Sequence, residues 1–264
     1  MPLRNLQYPK HPYNTVKRYK DRADYSLSTI HSIFNTSPLL HISFVDPNSD
    51  VPFPSSLPMI GRLGSFTNPS ADLGEVLDLY LHAYVSSRLV NLVREASNSP
   101  ESKGFPVTVS TAHVDGIVLA LTPNAHSYNY RSATVFGYAT LVTDVEEKLY
   151  AMQLITDGVV PGRWENTRVP PNKGEMASTA VVRVKIVSGS GKVRSGGCHD
   201  DRGDLESEEV TGRVWAGVVP VWTMYGEPVP AGYNRVAEVP AYLEEWRKEG
   251  NRGREELAKE AMKE

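Results

Sequence analysis

His126-Ser127-Tyr128-Asn129-Tyr130-Arg131-Ser132-Ala133-Thr134-Val135-Phe136-Gly137 packs small donors, two phenols and a guanidinium ahead of an apolar, alternating run that closes on glycine. Apolar residues at every second position read as a β-strand with one buried face. A guanidinium and hydroxyls at a strand's start form a cradle for a phosphate or another oxyanion. The bland alternative is a polar strand edge with Arg131 in a surface ion pair. Local chemistry leaves both readings open.

Outward from this strand, the chain reads as further short strands with helices at the rims. Leu39–Val45 alternates and ends at Asp46-Pro47-Asn48, which predicts a hairpin to a strand near Ser56–Ile60. Val76–His82 alternates again, and Ser86-Ser87-Arg88 opens a helix carrying Leu89, Val90, Leu92 and Val93. Ser97–Gly104 reads as a polar loop. Pro106–His113 and Gly116–Leu121 read as two strands paired about an Asp115-Gly116 turn. Ser132–Val142 is the longer strand. Asp144 with Glu147 three residues on marks a helix start, with Leu149, Met152, Leu154 and Ile155 as its buried stripe. Leu27, Ile30, Ile33 and Phe34 share one face of an earlier helix that Asp24 or Ser26 could cap. Residues 158–173 are irregular, and 175–178 suggest a helical turn. Residues 180–187 and 214–221 are β-rich, and 188–212 read as a polar excursion.

These spacings predict six or seven strands in a small antiparallel β-barrel with peripheral helices. There is no strand–helix alternation and no G-x-G-x-x-G, so a Rossmann dinucleotide site is not expected. The simplest partition is an N-terminal arm over 1–20, a barrel domain over 21–232 and a charged helical tail over 233–264. The tail reads as a solvated helix, because Leu243, Trp246 and Leu257 are too sparse for heptads.

Bulk properties narrow the function. A net charge of −3 supplies no basic field for nucleic acid. No apolar run approaches the roughly 20 residues a membrane helix needs. Met1-Pro2-Leu3-Arg4-Asn5 lacks the apolar core of a signal peptide, so cytoplasmic residence is expected. The single cysteine, Cys198, excludes an internal disulfide framework and a thiolate zinc cluster. Beside His199 it could suggest a thiol/imidazole pair, but a flexible loop thiol is the simpler reading. No His-x-His or His-x-x-x-His spacing occurs, so no metal site is expected. Ser188–Gly197 superficially suggests a phosphate loop, but Val193 follows Lys192 where Ser or Thr is required.

Several segments, in order, resemble the flavin-nucleotide-binding, pyridoxamine 5'-phosphate oxidase-like proteins, the group that includes nitroimidazole-resistance reductases. They are Lys20-Asp21-Arg22-Ala23, Tyr80-Leu81-His82 with Ser87-Arg88, Asp115–Ala120, His126-Ser127 with Asn129–Ser132, Pro161–Trp164, Lys192–Arg194 and Val214–Val218. The resemblance runs from about Arg18 to Pro230. It implies an FMN-binding split β-barrel, usually a homodimer with sites at the subunit interface. Ser87 and Arg88 would lie beside the flavin phosphate at a helix start, where free amides and a partial positive charge favour an anion. Asn129, Tyr130, Arg131 and Ser132 match the strand lining the ribityl and phosphate region. Arg62 loosely matches a basic position, and His82 a histidine that relatives follow with glycine, where Ala83 stands here. Trp215 falls where relatives place an aromatic against the flavin from the partner subunit; a packed barrel aromatic is the alternative. Lys192 and Arg194 would close over the flavin or its substrate, and a solvated basic loop is the alternative.

The chain departs from that pattern at Leu121, where relatives carry arginine, at Ala125, where they carry histidine, and at His113, where an aliphatic is usual. If the missing arginine bonded a phosphate, its loss costs about 1.5–3 kcal/mol. It also opens space for an aromatic ligand among Leu121, Pro123 and Tyr128. Two functions follow. One is an FMN-dependent oxidoreductase acting on a small aromatic or heterocyclic molecule, with His126 or Tyr128 as donor to substrate. The other is a flavin-independent isomerase or cyclase of a phenolic, chalcone-like metabolite, with His113 and His126 moving protons. Haem binding without turnover ranks behind both.

Overall fold

The computed structural model describes residues 6–98 and 101–263. The first five residues of the arm, two residues of the loop expected over Ser97–Gly104 and the last residue of the tail therefore lie outside the described residues. In chain order the elements are β1 (Ala23–Asp24), α1 (Leu27–Asn35), β2 (Leu40–Phe44), β3 (Ser55–Met59), β4 (Gly61–Gly64), β5 (Asp78–Tyr84) and α2 (Arg88–Ala96). They continue with β6 (Phe105–Leu119), β7 (Ser127–Leu141), α3 (Val145–Val159), α4 (Lys173–Ser178) and β8 (Thr179–Arg194). The chain closes with α5 (Arg202–Leu205), α6 (Glu208–Arg213), β9 (Gly217–Pro220) and α7 (Ala241–Glu260). The sheet runs β3-β2-β6-β7-β8-β5-β4, with β1 on β8 and β9 on β6. It is mainly antiparallel and flanked by helices, as a split β-barrel requires.

The described residues form two compact units. One comprises residues up to Ala112 with Ser132–Lys192; the other comprises His113–Arg131 with residues from Val193 onward. In the first unit β2 and β3 pair from Leu40↔Met59 to Phe44↔Ser55, which is the hairpin expected from Asp46-Pro47-Asn48. Its core holds Ile30, Phe34, Ile42, Leu79, Leu81, Val90 and Val93, all essentially solvent-free. Asp144 accepts the Glu147 amide at 2.8 Å and starts α3 where the sequence marks it.

The α3 stripe differs from expectation. Glu147, Ala151 and Ile155 are its buried residues, while Leu149, Met152 and Leu154 are only half-buried. Glu147 is inside because Tyr80 donates to its Oε1 at 3.0 Å and Arg183 at 2.8 Å. Burial, then the bond to Glu147, pushes the Tyr80 phenol up.

The N-terminal segment is not a free arm. The Tyr8 amide donates to Tyr25 O at 2.8 Å, and the Asn14 side chain donates to Gly189 O at 3.0 Å. His31 is fully buried; its Nδ1 donates to Leu73 O at 2.9 Å, and its Nε2 accepts from the Tyr8 hydroxyl at 2.6 Å. Burial lowers its pKa to about 4, against the opposing carbonyl bond to Leu73.

The Asp115-Gly116 turn is not formed. β6 runs unbroken through both residues, and Gly116 pairs with Pro220 on β9. Glycine there serves close approach, since a Cβ would stand 3.0 Å from Val218 Cγ1. Gly137 does the same on β7, where a Cβ would come within 2.8 Å of Val184 Cγ1. The expected excursion over 188–212 is strand as far as Arg194 and then holds two short helices. β4 was not expected; it pairs Gly61–Gly64 with Leu81–Asp78.

In the second unit α7 is packed along one side rather than wholly solvated. Ala258 is buried, and Trp246 stacks on Tyr225 at 4.5 Å between ring centroids. Asn251 holds the Tyr225 backbone through both amide groups, at 2.7 and 2.9 Å. Among the described residues no helix is long and apolar enough to cross a membrane.

Candidate functional site

β7 carries the decisive stretch. Its alternation turns Asn129 and Arg131 to the same side as Ala133 and Val135, and sends Tyr128 and Tyr130 to the other. Asn129 is fully buried and satisfied. Its amide nitrogen donates to Gly196 O and Ala261 O, each at 2.9 Å, and its oxygen accepts from Arg194. Arg194 also donates to Gly197 O at 2.8 Å. Asn129 thus ties the exit of β8 to the end of α7.

Arg131 makes a two-pronged ion pair with Asp115. Nε meets Oδ2 and Nη2 meets Oδ1, both at 2.8 Å, with side chains 20% and 6% exposed. Such a fork fixes the guanidinium plane and leaves three of its five N–H donors for other partners. Within the same unit Arg131, Asp115, Arg194 and Lys263 line a cleft of about 380 Å³ walled by Val193, Leu257 and Ala261. This lies in the size range of small-molecule sites, roughly 300–1,000 Å³. Sequence reasoning missed Leu257, Ala261 and Lys263, because a helix dense in charge carries a weak apolar signal.

In the other unit Ser87 is the N-cap of α2, its hydroxyl accepting the Val90 amide at 3.4 Å. Arg88 is the first helical residue. Its Nε and Nη2 both reach one oxygen, Asp46 Oδ2, at 2.8 and 2.7 Å, and its Nη1 reaches Ser55 Oγ at 3.3 Å. The Arg88 side chain is 53% exposed. Ser132 donates to Lys192 O at 3.2 Å. Lys192 sits on β8 opposite Ala23, with its ammonium 5.7 Å from the Tyr19 ring. Arg62 bonds Asn35 O and lies 3.5 Å from Gly158 O; burial lowers its pKa. His82 is exposed on β5, opposite Val181.

The remaining residues belong to the second unit. His126 is exposed, and its Nδ1 donates to Thr122 O at 2.9 Å. His113 is half-buried on β6, Tyr128 is 55% exposed, and Trp215 is 66% exposed with its ring beside Gly217. Among the described residues no group of three His, Cys, Asp or Glu side chains could hold a metal ion.

Residues 26–193 match the family model for pyridoxamine 5'-phosphate oxidase. The chain belongs to this family of flavin-nucleotide-binding split barrels. Two solved structures are similar over nearly the whole chain. One is the flavocytochrome Anf3 from Azotobacter vinelandii, 26% identical over 90% of this chain and 97% of that one, TM-score 0.70. The other is the FAD and heme binding protein from Mycobacterium smegmatis, 25% identical over 86% of this chain and 97% of that one, TM-score 0.68. A putative 5-nitroimidazole antibiotic resistance protein from Bacteroides thetaiotaomicron is 18% identical over 65% of this chain and 86% of that one, TM-score 0.47. A search of curated proteins gave no match.

Proposed function

We propose that this chain is a flavin-dependent oxidoreductase that holds FMN and acts on a small aromatic or heterocyclic molecule, as a homodimer with sites at the subunit interface. The observation that carries the reading is the extent of the likeness. The family model stops at residue 193, whereas the flavocytochrome and the FAD and heme binding protein match 90% and 86% of this chain.

The residues fit the cofactor's chemistry. Arg88 stands at the positive end of a nine-residue helix, and its exposed guanidinium can turn from Asp46 to a phosphate at small cost. The flavin, when bound, supplies hydride and single-electron chemistry. The chain supplies position: Ser87 holds the helix start, and Arg88 holds the phosphate. The cleft beside Arg131 offers the remaining guanidinium donors to a carbonyl, beside the carboxylates of Asp115 and Glu260, with Leu257 and Ala261 as its apolar wall. Tyr128 is the donor assigned to substrate, while His126, whose Nδ1–H is engaged by Thr122 O, offers Nε2 as an acceptor.

Haem is a second cofactor favoured by the same two relatives. Were haem bound, His126 would be the residue to hold its iron, because the bond from Nδ1 to Thr122 O leaves the Nε2 lone pair free to ligate.

Reconstitution tests the reading. Protein incubated with FMN and desalted is expected to keep a yellow chromophore that bleaches on reduction; haem added separately is expected to give a Soret band that His126→Ala loses. Protein that emerges colourless after both FMN and FAD overturns the assignment.

A further inference from the structure

Near the start of the first unit, one tyrosine is ringed by cations. Tyr19 is the one non-glycine residue among those described with positive φ (φ 54°, ψ 64°). Such backbone persists only where the surroundings impose it, and it concentrates at functional positions. Its ring has the Arg22 guanidinium 4.2 Å from its centroid, Arg18 at 5.0 Å and the Lys192 ammonium at 5.7 Å. Arg18 Nη2 also reaches the phenol oxygen at 3.5 Å. That bond and the Arg18 charge draw the phenol below its usual range against an opposing desolvation, with lesser help from Arg22 and Lys192.

The cations outnumber the one carboxylate in their stretch, Asp21. Residues 17–22 read Lys-Arg-Tyr-Lys-Asp-Arg, and Lys192 joins them from β8, where it pairs with Ala23. Among the described residues none of these five cations is in an ion pair, and Asp21 is in none either. The neighbouring carboxylate, Asp24, is committed elsewhere: it accepts from the Ser26 amide and hydroxyl at 2.7 Å each and from Thr29 at 2.6 Å. Like charges gathered at one exposed place repel, and a multivalent anion relieves that repulsion while accepting several charge-assisted bonds. Guanidinium forks favour the geometry of a phosphate.

We propose that Arg18, Arg22 and Lys192, arrayed around Tyr19, form a binding site for the phosphate group of a small ligand. The shared chemistry is a phosphate bearing two or more charges, and its source is either the flavin or a separate phosphorylated molecule. The site is independent of Arg88 and stands whether or not the flavin assignment holds.

Calorimetric titration with inorganic pyrophosphate at low salt tests it. Wild-type protein is expected to bind, and Arg22→Gln and Lys192→Gln are each expected to weaken binding about tenfold. Arg22→Lys should restore most of it, and Arg202→Gln, at an exposed arginine paired with Glu206, should leave it unchanged. Thermal unfolding of each variant checks folding; should Arg22→Gln fail to fold, Lys192→Gln carries the test. Repeating the titration on FMN-loaded protein assigns the source. Lost uptake means that the flavin phosphate fills this site in place of the one assigned to Arg88, and retained uptake means that a second phosphorylated ligand does. Wild-type protein that binds no pyrophosphate, or variants that bind it equally well, overturn the proposal. Failure to retain FMN with pyrophosphate binding intact removes the flavin reading alone.

Discussion

Arg131 and Arg88 each face an aspartate at about the same distance, yet the two pairs do different work. Arg131 engages both oxygens of Asp115, and that carboxylate is only 6% exposed. Arg88 reaches a single oxygen of Asp46 from a side chain that is 53% exposed. Removing one partner of a buried pair strands a desolvated charge, whereas an exposed pair competes with water and salt and contributes little. The first pair is scaffold. The second is exchangeable, as the anion-binding role proposed for Arg88 requires.

The comparison breaks most readily at Arg131. Arg131→Gln leaves the Asp115 carboxylate without its fork and is expected to cost about 3 kcal/mol, read by denaturant unfolding. An unchanged midpoint would put Arg131 in the same class as Arg88. Acid probes the unit that holds Arg88. His31 has a folded pKa of about 4, below its unfolded value of about 6.5. The unfolded chain therefore takes up a proton first as pH falls, and stability is lost between about pH 6.5 and 4 by up to about 3 kcal/mol. His31→Gln is expected to flatten that slope; a pH profile identical to wild type would contradict it.

Asn129 sharpens the contrast from the scaffold side. Asn129→Ala leaves Gly196 O and an Arg194 donor without their Asn129 partner, while Ala261 O keeps the Gly196 amide, and is expected to cost about 2 kcal/mol. Hydrogen exchange should then show the last turn of α7 opening first. The smallest effect belongs to Arg88→Gln, which is expected to move the melting temperature by no more than about 2 °C. A large loss would mean that the Asp46 pair is structural after all.

The sequence made the first unit largely legible. The Asp46-Pro47-Asn48 hairpin, the α1 stripe and the Asp144 cap each depend on residues within one turn of each other, and each appears as read. What it hid lies at longer range. Asp115-Gly116 has a turn's composition, but Gly116 is there for β9, a strand about a hundred residues on. Asp115 has the composition of a turn residue, which hides its role as partner of Arg131, sixteen residues away. The phosphate-binding residue types around Arg131 were visible, but not that Asn129 spends its amide on Ala261. The packing of α7 depends on Ala258 and Ala261, small residues that give no amphipathic signal amid Glu, Lys and Arg.

Flavin binding by wild-type, Arg88→Gln and Arg131→Gln proteins, measured with FMN and with riboflavin by flavin fluorescence, is the most direct test. Arg88→Gln should weaken FMN about tenfold or more while leaving riboflavin and the melting temperature unchanged, since riboflavin lacks the phosphate. Arg131→Gln should lower the melting temperature. Wild-type protein that binds neither compound, or an Arg88→Gln protein that binds FMN as tightly as wild type, would contradict the account.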